Sequence, residues 1–198
     1  MSMSKVLQKI LIPALCTVPI LASAQTGKVQ LSNESNLSIN GKSNVNEFRC
    51  RYDHELQRDL LQYSYRYSDG SIRLEGLTLS LEVDEFDCGR KGINRDFRNT
   101  LLYEKYPFIH ITLNELVLGE ESDVVPTEAL VTITIAGVKR VYTVPLNDFS
   151  SSEELILVGG NKILNMSDFG LTPPSPLMGL IKVSDELDIV FDLVITQN

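Results

Sequence analysis

The sequence predicts an all-β, antiparallel domain of eight or more strands, closed as a barrel or stacked as a sandwich, with one short helix. Three observations carry this. Apolar and polar residues alternate along most of the chain, turn-forming pairs separate the alternating runs, and no strand–helix–strand rhythm interrupts them.

In chain order, residues 1–24 read as a secretion signal. "MSMSKVLQK" supplies Lys5 and Lys9 without an acid, "ILIPALCTVPILA" is the apolar segment, and "ASA" is a small-residue cleavage pattern ending at Ala24. Pro13 and Pro19 break the apolar run, which is too short for a convincing membrane span. Bulky Leu15 argues against lipid attachment at Cys16. Residues 25–36, "QTGKVQLSNESN", read as a flexible lead-in, and 37–198 as the domain.

Within the domain, "LQYSYRY" sets Leu61, Tyr63, Tyr65 and Tyr67 on one side, and "LTLSLEV" sets Leu77, Leu79, Leu81 and Val83. "IHITL" gives Ile109, Ile111 and Leu113; "VTITI" gives Val131, Ile133 and Ile135; "LDIVFDLVI" gives Leu187, Ile189, Phe191, Leu193 and Ile195. Period two with one apolar face is the pattern of a half-buried antiparallel strand. "SDGS" at 68–71, "AGVK" at 136–139 and "VGGN" at 158–161 read as turns between strands. One stretch breaks the alternation: in "NRDFRNTLLYEKYP", Phe97 and Leu101 are four apart and Ile93 lies a turn earlier. That spacing predicts a helix over roughly 94–104, capped by Asn94 and ended by Pro107.

The whole chain carries a formal charge of −8, and loss of the leader with its two lysines makes the remainder more acidic still. An acidic surface with no basic stripe excludes nucleic acid as a natural partner. A membrane-spanning barrel is disfavoured as well. The chain has no tryptophan for interfacial girdles, and its clearest alternating runs fall short of ~9–11 residues. Cys50 and Cys88 remain after the leader as an even pair on an exported chain, which favours a disulfide over free thiols or a metal pair.

Catalytic signals are weak. The junction "FDCGRKGINRDF" packs Asp87, Arg90, Lys91, Arg95 and Asp96 together, with Glu85 and Arg98 adjacent, but it lacks a nucleophile with a defined partner. His54 and His110 are the only histidines, and His110 takes the outward parity of its strand. No phosphate-binding loop, dinucleotide fingerprint or nucleophile elbow is present. These observations predict no enzyme, no catalytic residue and no metal.

Four stretches, in order, carry a family resemblance: "SNLSINGKSNVNEFRC", "FDCGRKGINRDFRNTLLYEKYPFIHITL", "VTITIAGVKRVYTVPL" and "NMSDFGLTPPSPLMGLIKVSDELDIVFDLVI". Together the chain resembles the YceI-like family of secreted bacterial proteins, as a divergent branch in which Cys50 and Cys88 fall outside the general pattern. The resemblance implies an extended, lipocalin-like antiparallel barrel of about eight strands. It implies a bound polyisoprenoid or fatty-chain lipid in place of a cofactor, no catalytic residues, and a periplasmic or secreted location. Contact with membranes would be limited to transient lipid exchange.

The inward residues expected to line such a cavity are Phe48, Tyr63, Tyr65, Leu79, Leu81, Phe97, Leu101, Ile109, Ile111, Ile133, Ile135, Val144, Ile189 and Phe191. A bulge would reverse part of any one strand. The resulting expectation is an envelope carrier for an isoprenoid, polyprenyl quinone or fatty amphiphile. The alternative is a structural or interaction module with a filled barrel, whose surface includes "LTPPSPLMG" with Leu177 and Met178. That segment equally suits a rim over a cavity mouth.

Overall fold

The computed structural model describes residues 24–53, 60–119 and 122–197, so the leader-like stretch through residue 23, and His54, lie outside the described residues. The strands are β1 (Gln25–Leu31), β2 (Asn36–Ser43), β3 (Glu47–Tyr52), β4 (Leu61–Ser68), β5 (Ser71–Glu75) and β6 (Thr78–Glu82). They continue as β7 (Phe86–Asp87), β8 (Phe108–Gly119), β9 (Ser122–Ile135), β10 (Val138–Ser151), β11 (Leu155–Asn165) and β12 (Val183–Gln197). One helix, α1 (Lys91–Thr100), and two 3-10 turns, Val83–Glu85 and Met166–Phe169, complete the element order.

All described pairings are antiparallel. Eight strands form a ring in the order β1-β4-β5-β8-β9-β10-β11-β12, closed where Val29, Gln30 and Leu31 of β1 meet Gln197, Thr196 and Ile195 of β12. The other four strands extend one end of the ring. β6 pairs with the start of β8, while β2, β3 and β7 continue outward from the start of β12. Along its length strand β8 thus leaves β6 for β5, and β12 leaves β2 for β1.

Residues 25–36 are no loose lead-in. Val29 and Leu31 face the core, and β1 pairs on one side with β4 and on the other with β12, so it closes the ring. Its polar composition hides this role, because Lys28 and Gln30 occupy the outward positions. The turns at Asp69–Gly70 and Ala136–Gly137 are as predicted, with positive φ at both central residues of each two-residue loop. "VGGN" is not a turn. Gly159 and Gly160 sit mid-strand in β11, and a Cβ on Gly160 would lie 2.6 Å from the Pro145 carbonyl oxygen and 2.8 Å from the Phe191 ring. The glycine there permits close backbone approach.

The helix also starts earlier and ends sooner than its spacing suggests, and Asn94 does not cap it. Arg90, in extended conformation, precedes the first turn. Asn94 instead ties the junction together: its Oδ1 accepts the Cys88 N–H at 2.7 Å and its Nδ2 donates to Asp87 Oδ1 at 2.9 Å. The chain leaves the helix through Leu102, whose φ is 56°.

The long strands β8 to β12 run 11 to 15 residues, more than the alternating runs suggest. Register shifts explain the difference: bulges near Leu113–Glu115 in β8 and Leu146–Asp148 in β10 break the period while pairing continues. Thr132, Thr134, Lys139, Asn161, Asp188 and Asp192 take the outward parity of these strands, which is not the apolar band a lipid-facing barrel presents. No helix among the described residues is long and apolar enough to cross a membrane.

Candidate ligand-binding site

The interior differs along the axis. Through the middle, Leu79, Ile111 and Ile133 meet in register across β6, β8 and β9, and Leu81 stands opposite Ile109. Leu79, Leu81, Ile133, Val131 and Val144 are buried and none of them is in the wall of the cavity, so their space is taken by the protein's own side chains. At the end carrying β2, β3, β6 and β7 lies a cavity of about 640 Å³, within the usual ~300–1,000 Å³ range of small-molecule sites.

Each wall of the cavity comes from a different element. β2 and β3 give Ile39 and Phe48; α1 gives Ile93 and Phe97, followed by Leu101; β8 and β9 give Ile109 and Ile135. β11 and the second 3-10 turn supply Leu164, Met166 and Phe169, while β12 supplies Val183, Leu187 and Ile189. Leu171, Pro174, Pro176 and Ile181 come from the connection into β12, and Val45 from the β2–β3 turn. The polar lining is Ser43, Asn46, Arg90, Arg95, Asp96, Thr100 and Asn165. Arg90 and Arg95 are exposed, which places their charges at the mouth.

Helix α1 roofs this end. Its Ile93–Phe97–Leu101 face turns inward as the spacing predicts, and the Phe97 ring lies 5.2 Å from that of Phe86, which in turn contacts Tyr52 at 5.1 Å. The roof needs fastening because the sheet has two seams here. Between β6 and β7 the chain makes a 3-10 turn with no strand pairing across it. The Tyr52 hydroxyl of β3 reaches over this seam to accept the Glu82 N–H at 3.3 Å, and a disulfide from Cys50 on β3 to Cys88 ties the paired β3 and β7 to the segment leading into α1. Tyr103 also donates to Asp84 of that turn at 2.9 Å. At the second seam, β10 pairs with β11 only from Leu146 onward. There the Tyr142 hydroxyl donates to Asp168 Oδ2 at 3.0 Å, and the Lys162 ammonium lies 5.9 Å from the Tyr142 ring. Burial, reinforced by Asp168, pushes the Tyr142 hydroxyl up to about 12.

Of the fourteen residues expected to line a cavity, Phe48, Phe97, Leu101, Ile109, Ile135 and Ile189 do so. The other eight do not. Leu79, Ile111, Ile133 and Val144 belong to the filled middle, Leu81 stands level with cavity-lining Ile109 but is buried in the core beside it, and Phe191 lies over Gly160. Tyr63 and Tyr65 share a face with buried Val29 but sit at the opposite end of the ring, where the Tyr63 ring covers Gly27 and Tyr65 bonds Gln25. Alternation reports which face a residue takes; it is silent on depth along the axis.

The apolar wall residues outside that expectation are Ile39, Val45, Ile93, Val183 and Leu187, and a larger group between Leu164 and Ile181, mostly in a stretch with no alternation. Its signal was apolar density interrupted by three prolines and a glycine bend, in "NMSDFGLTPPSPLMGLI".

The charged junction shows no catalytic geometry. Asn94 and the Gly89 amide hold the Asp87 carboxyl below its ordinary range, and exposed Arg95 stands 3.5 Å from half-buried Asp96. His110 takes the outward parity and meets Ser80 Oγ at 2.9 Å. A second, more open cleft of about 400 Å³ lies around Gly159, with Asp148 and Asp192 in its wall.

No family model and no curated protein matches the sequence. Solved structures do. Burkholderia cenocepacia BcnA superposes with a TM-score of 0.59 at 17% identity, covering 81% of this chain and 96% of that one. A polyisoprenoid-binding domain from Saccharophagus degradans, implicated in plant cell wall breakdown, gives 0.55 at 14% identity, covering 86% and 98%. The Campylobacter jejuni YceI protein gives 0.50 at 16% identity, covering 69% and 81%. With its eight-strand ring, its single roofing helix and these neighbours, the chain has the antiparallel fold of the YceI-like proteins.

Proposed function

We propose that this chain is a divergent YceI-like carrier that binds an apolar-chain molecule, an isoprenoid, polyprenyl quinone or fatty amphiphile, in the cell envelope. The observation that carries the reading is the cavity: a mostly hydrocarbon interior with its arginines confined to the mouth. That polarity suits an amphiphile whose tail lies against Ile39, Leu164, Leu187 and Ile189, with its polar end toward Arg90 and Arg95. Each methylene transferred from water contributes ~0.8 kcal/mol, so a tail of eight contributes roughly 6 kcal/mol without any tail hydrogen bond. The binding role is supported by a structural neighbour that is itself a polyisoprenoid-binding domain. The Cys50–Cys88 disulfide is compatible with an extracytoplasmic protein, and we place it in the periplasm or outside the cell, acting without catalysis.

The test is organic extraction of protein purified from a native envelope, followed by mass spectrometry. A stoichiometric chain lipid is expected. Ile189→Phe, which adds bulk to the cavity wall, should lower uptake of a fluorescent fatty-acid probe about tenfold, equivalent to displacing one to two methylenes, while leaving Tm unchanged. Empty extractions together with probe-blind protein would return the domain to the alternative, an interaction module without a guest.

A further inference from the structure

The cavity mouth has an unusual border. Two loops frame it, the β2–β3 turn and the connection into β12, and Asn44 joins them with three hydrogen bonds: its N–H to the Lys182 carbonyl, its Nδ2 to the Leu180 carbonyl, and its Oδ1 from the Lys182 N–H. The joined loops carry Val45, Leu177, Met178 and Leu180, exposed at 63%, 65%, 103% and 73%. Leu177 and Met178 both have φ of 54°, a conformation that bulky residues rarely adopt, and it holds their side chains on a tight bend. The patch is continuous with the cavity through Val45, Pro176 and Ile181.

Charge at this border runs against the rest of the molecule. Segments 42–48, 90–97 and 172–183 hold five basic residues, Lys42, Arg90, Lys91, Arg95 and Lys182, against two acidic ones, Glu47 and Asp96, with Glu186 4.0 Å from Lys42, in a chain whose total is −8. Protruding apolar tips ringed by cations on an otherwise acidic body match one kind of surface: an anionic headgroup layer with hydrocarbon beneath it. A protein partner would need a groove to receive the tips, and the remainder of the chain is net acidic and gains nothing from such a membrane.

We propose that this rim is a membrane-docking surface, with Val45, Leu177, Met178 and Leu180 entering an anionic bilayer and the cavity mouth opened toward its acyl chains. The proposal deepens the carrier reading and rests on it for its purpose, though not for its measurement.

The chain contains no tryptophan, so a single introduced indole reports its own position. Full-length protein carrying Met178→Trp should show a blue-shifted emission, quenched by brominated acyl chains, with vesicles of equimolar phosphatidylglycerol and phosphatidylcholine. Val141→Trp, on the outward face of β10 and 61% exposed in its native form, should show neither change. Arg90→Gln and Lys182→Gln should each weaken partitioning about fivefold, and Leu177→Asp with Leu180→Asp should abolish it. Equal responses at 178 and 141, no response at 178, or a shift at 178 that depends on protein concentration without vesicles (a second copy of the chain covering the rim) would overturn the proposal. Vesicle binding is scored without cargo. Docking with empty extractions therefore removes the carrier and keeps the surface, while lipid-filled protein that ignores vesicles does the reverse.

Discussion

The two ends of this ring are built from the same five strands and come out differently. Strands β8 to β12 run through both. At one end they are joined by β1, β4 and β5, each hydrogen-bonded to the next, and the circuit closes with eight strands. At the other end β6, β2, β3 and β7 take over, the circuit grows, and it is left with two seams. A wider ring holds its walls farther apart. Side chains of the same size line both levels, Leu79, Ile111 and Ile133 at the middle and Ile109 and Ile135 at the wide end, and only where the perimeter expands do they border a hollow. The hollow follows from strand count and splay; Ile and Leu line both regions. What differs is what must then seal the end: a helix, two 3-10 turns and a proline-rich connection, fastened by side chains.

The comparison can be broken most directly at the disulfide. Cys50→Ser with Cys88→Ser releases a loop with a sequence separation of 38, and chain entropy alone assigns such a crosslink about 3–4 kcal/mol. Urea unfolding should show that loss in full. If the hollow end is the weaker one, the reduced protein should lose the fluorescent probe at denaturant levels where its far-ultraviolet strand signal persists; coincident loss would mean that both ends melt as one unit.

A smaller effect is expected in the filled region. Gly160→Ala forces a methyl against the Pro145 carbonyl and the Phe191 ring, at a cost of about 1–3 kcal/mol. It should lower Tm without altering probe affinity, because Phe191 is not part of the cavity wall.

The mildest perturbation is Tyr142→Phe at the second seam. The hydroxyl's raised value favours the neutral form in the folded protein. Its contribution is therefore intact below the ordinary tyrosine value near 10, and is lost as pH climbs toward about 12. The wild-type protein should lose Tm over that alkaline window, and Tyr142→Phe should flatten the loss. Identical profiles would show that Asp168 does not latch this seam.

Much of the architecture could be read from sequence because period two is a local property. Leu79, Leu81, Ile109, Ile111, Ile133 and Ile189 take the inward parity they were expected to take, and Asp69–Gly70 and Ala136–Gly137 turn where short-range chemistry requires it. Where the inference faltered, the deciding contact was distant in sequence. Gly160 resembles a turn until the Pro145 carbonyl is seen against it. β1 resembles a tail until its pairing with Gln197, Thr196 and Ile195 is known. Asn94 has the composition of a cap, yet spends its side chain on Asp87 and Cys88. The cavity was the least legible feature, since its position depends on where two strands exchange neighbours, and no local window records that.

The fastening of the roof has a kinetic consequence. Ladder hydrogen bonds around the ring break together, so their amides should exchange only through opening on the scale of global unfolding. The helix and the two 3-10 turns are held by the crosslink beside α1, two phenol–carboxylate contacts and aromatic edges, none of which belongs to that eight-strand ladder. Their amides should exchange by smaller, independent openings. Under the proposed carrier function, a long molecule would come and go past α1 while every rung of the eight-strand circuit stays in place.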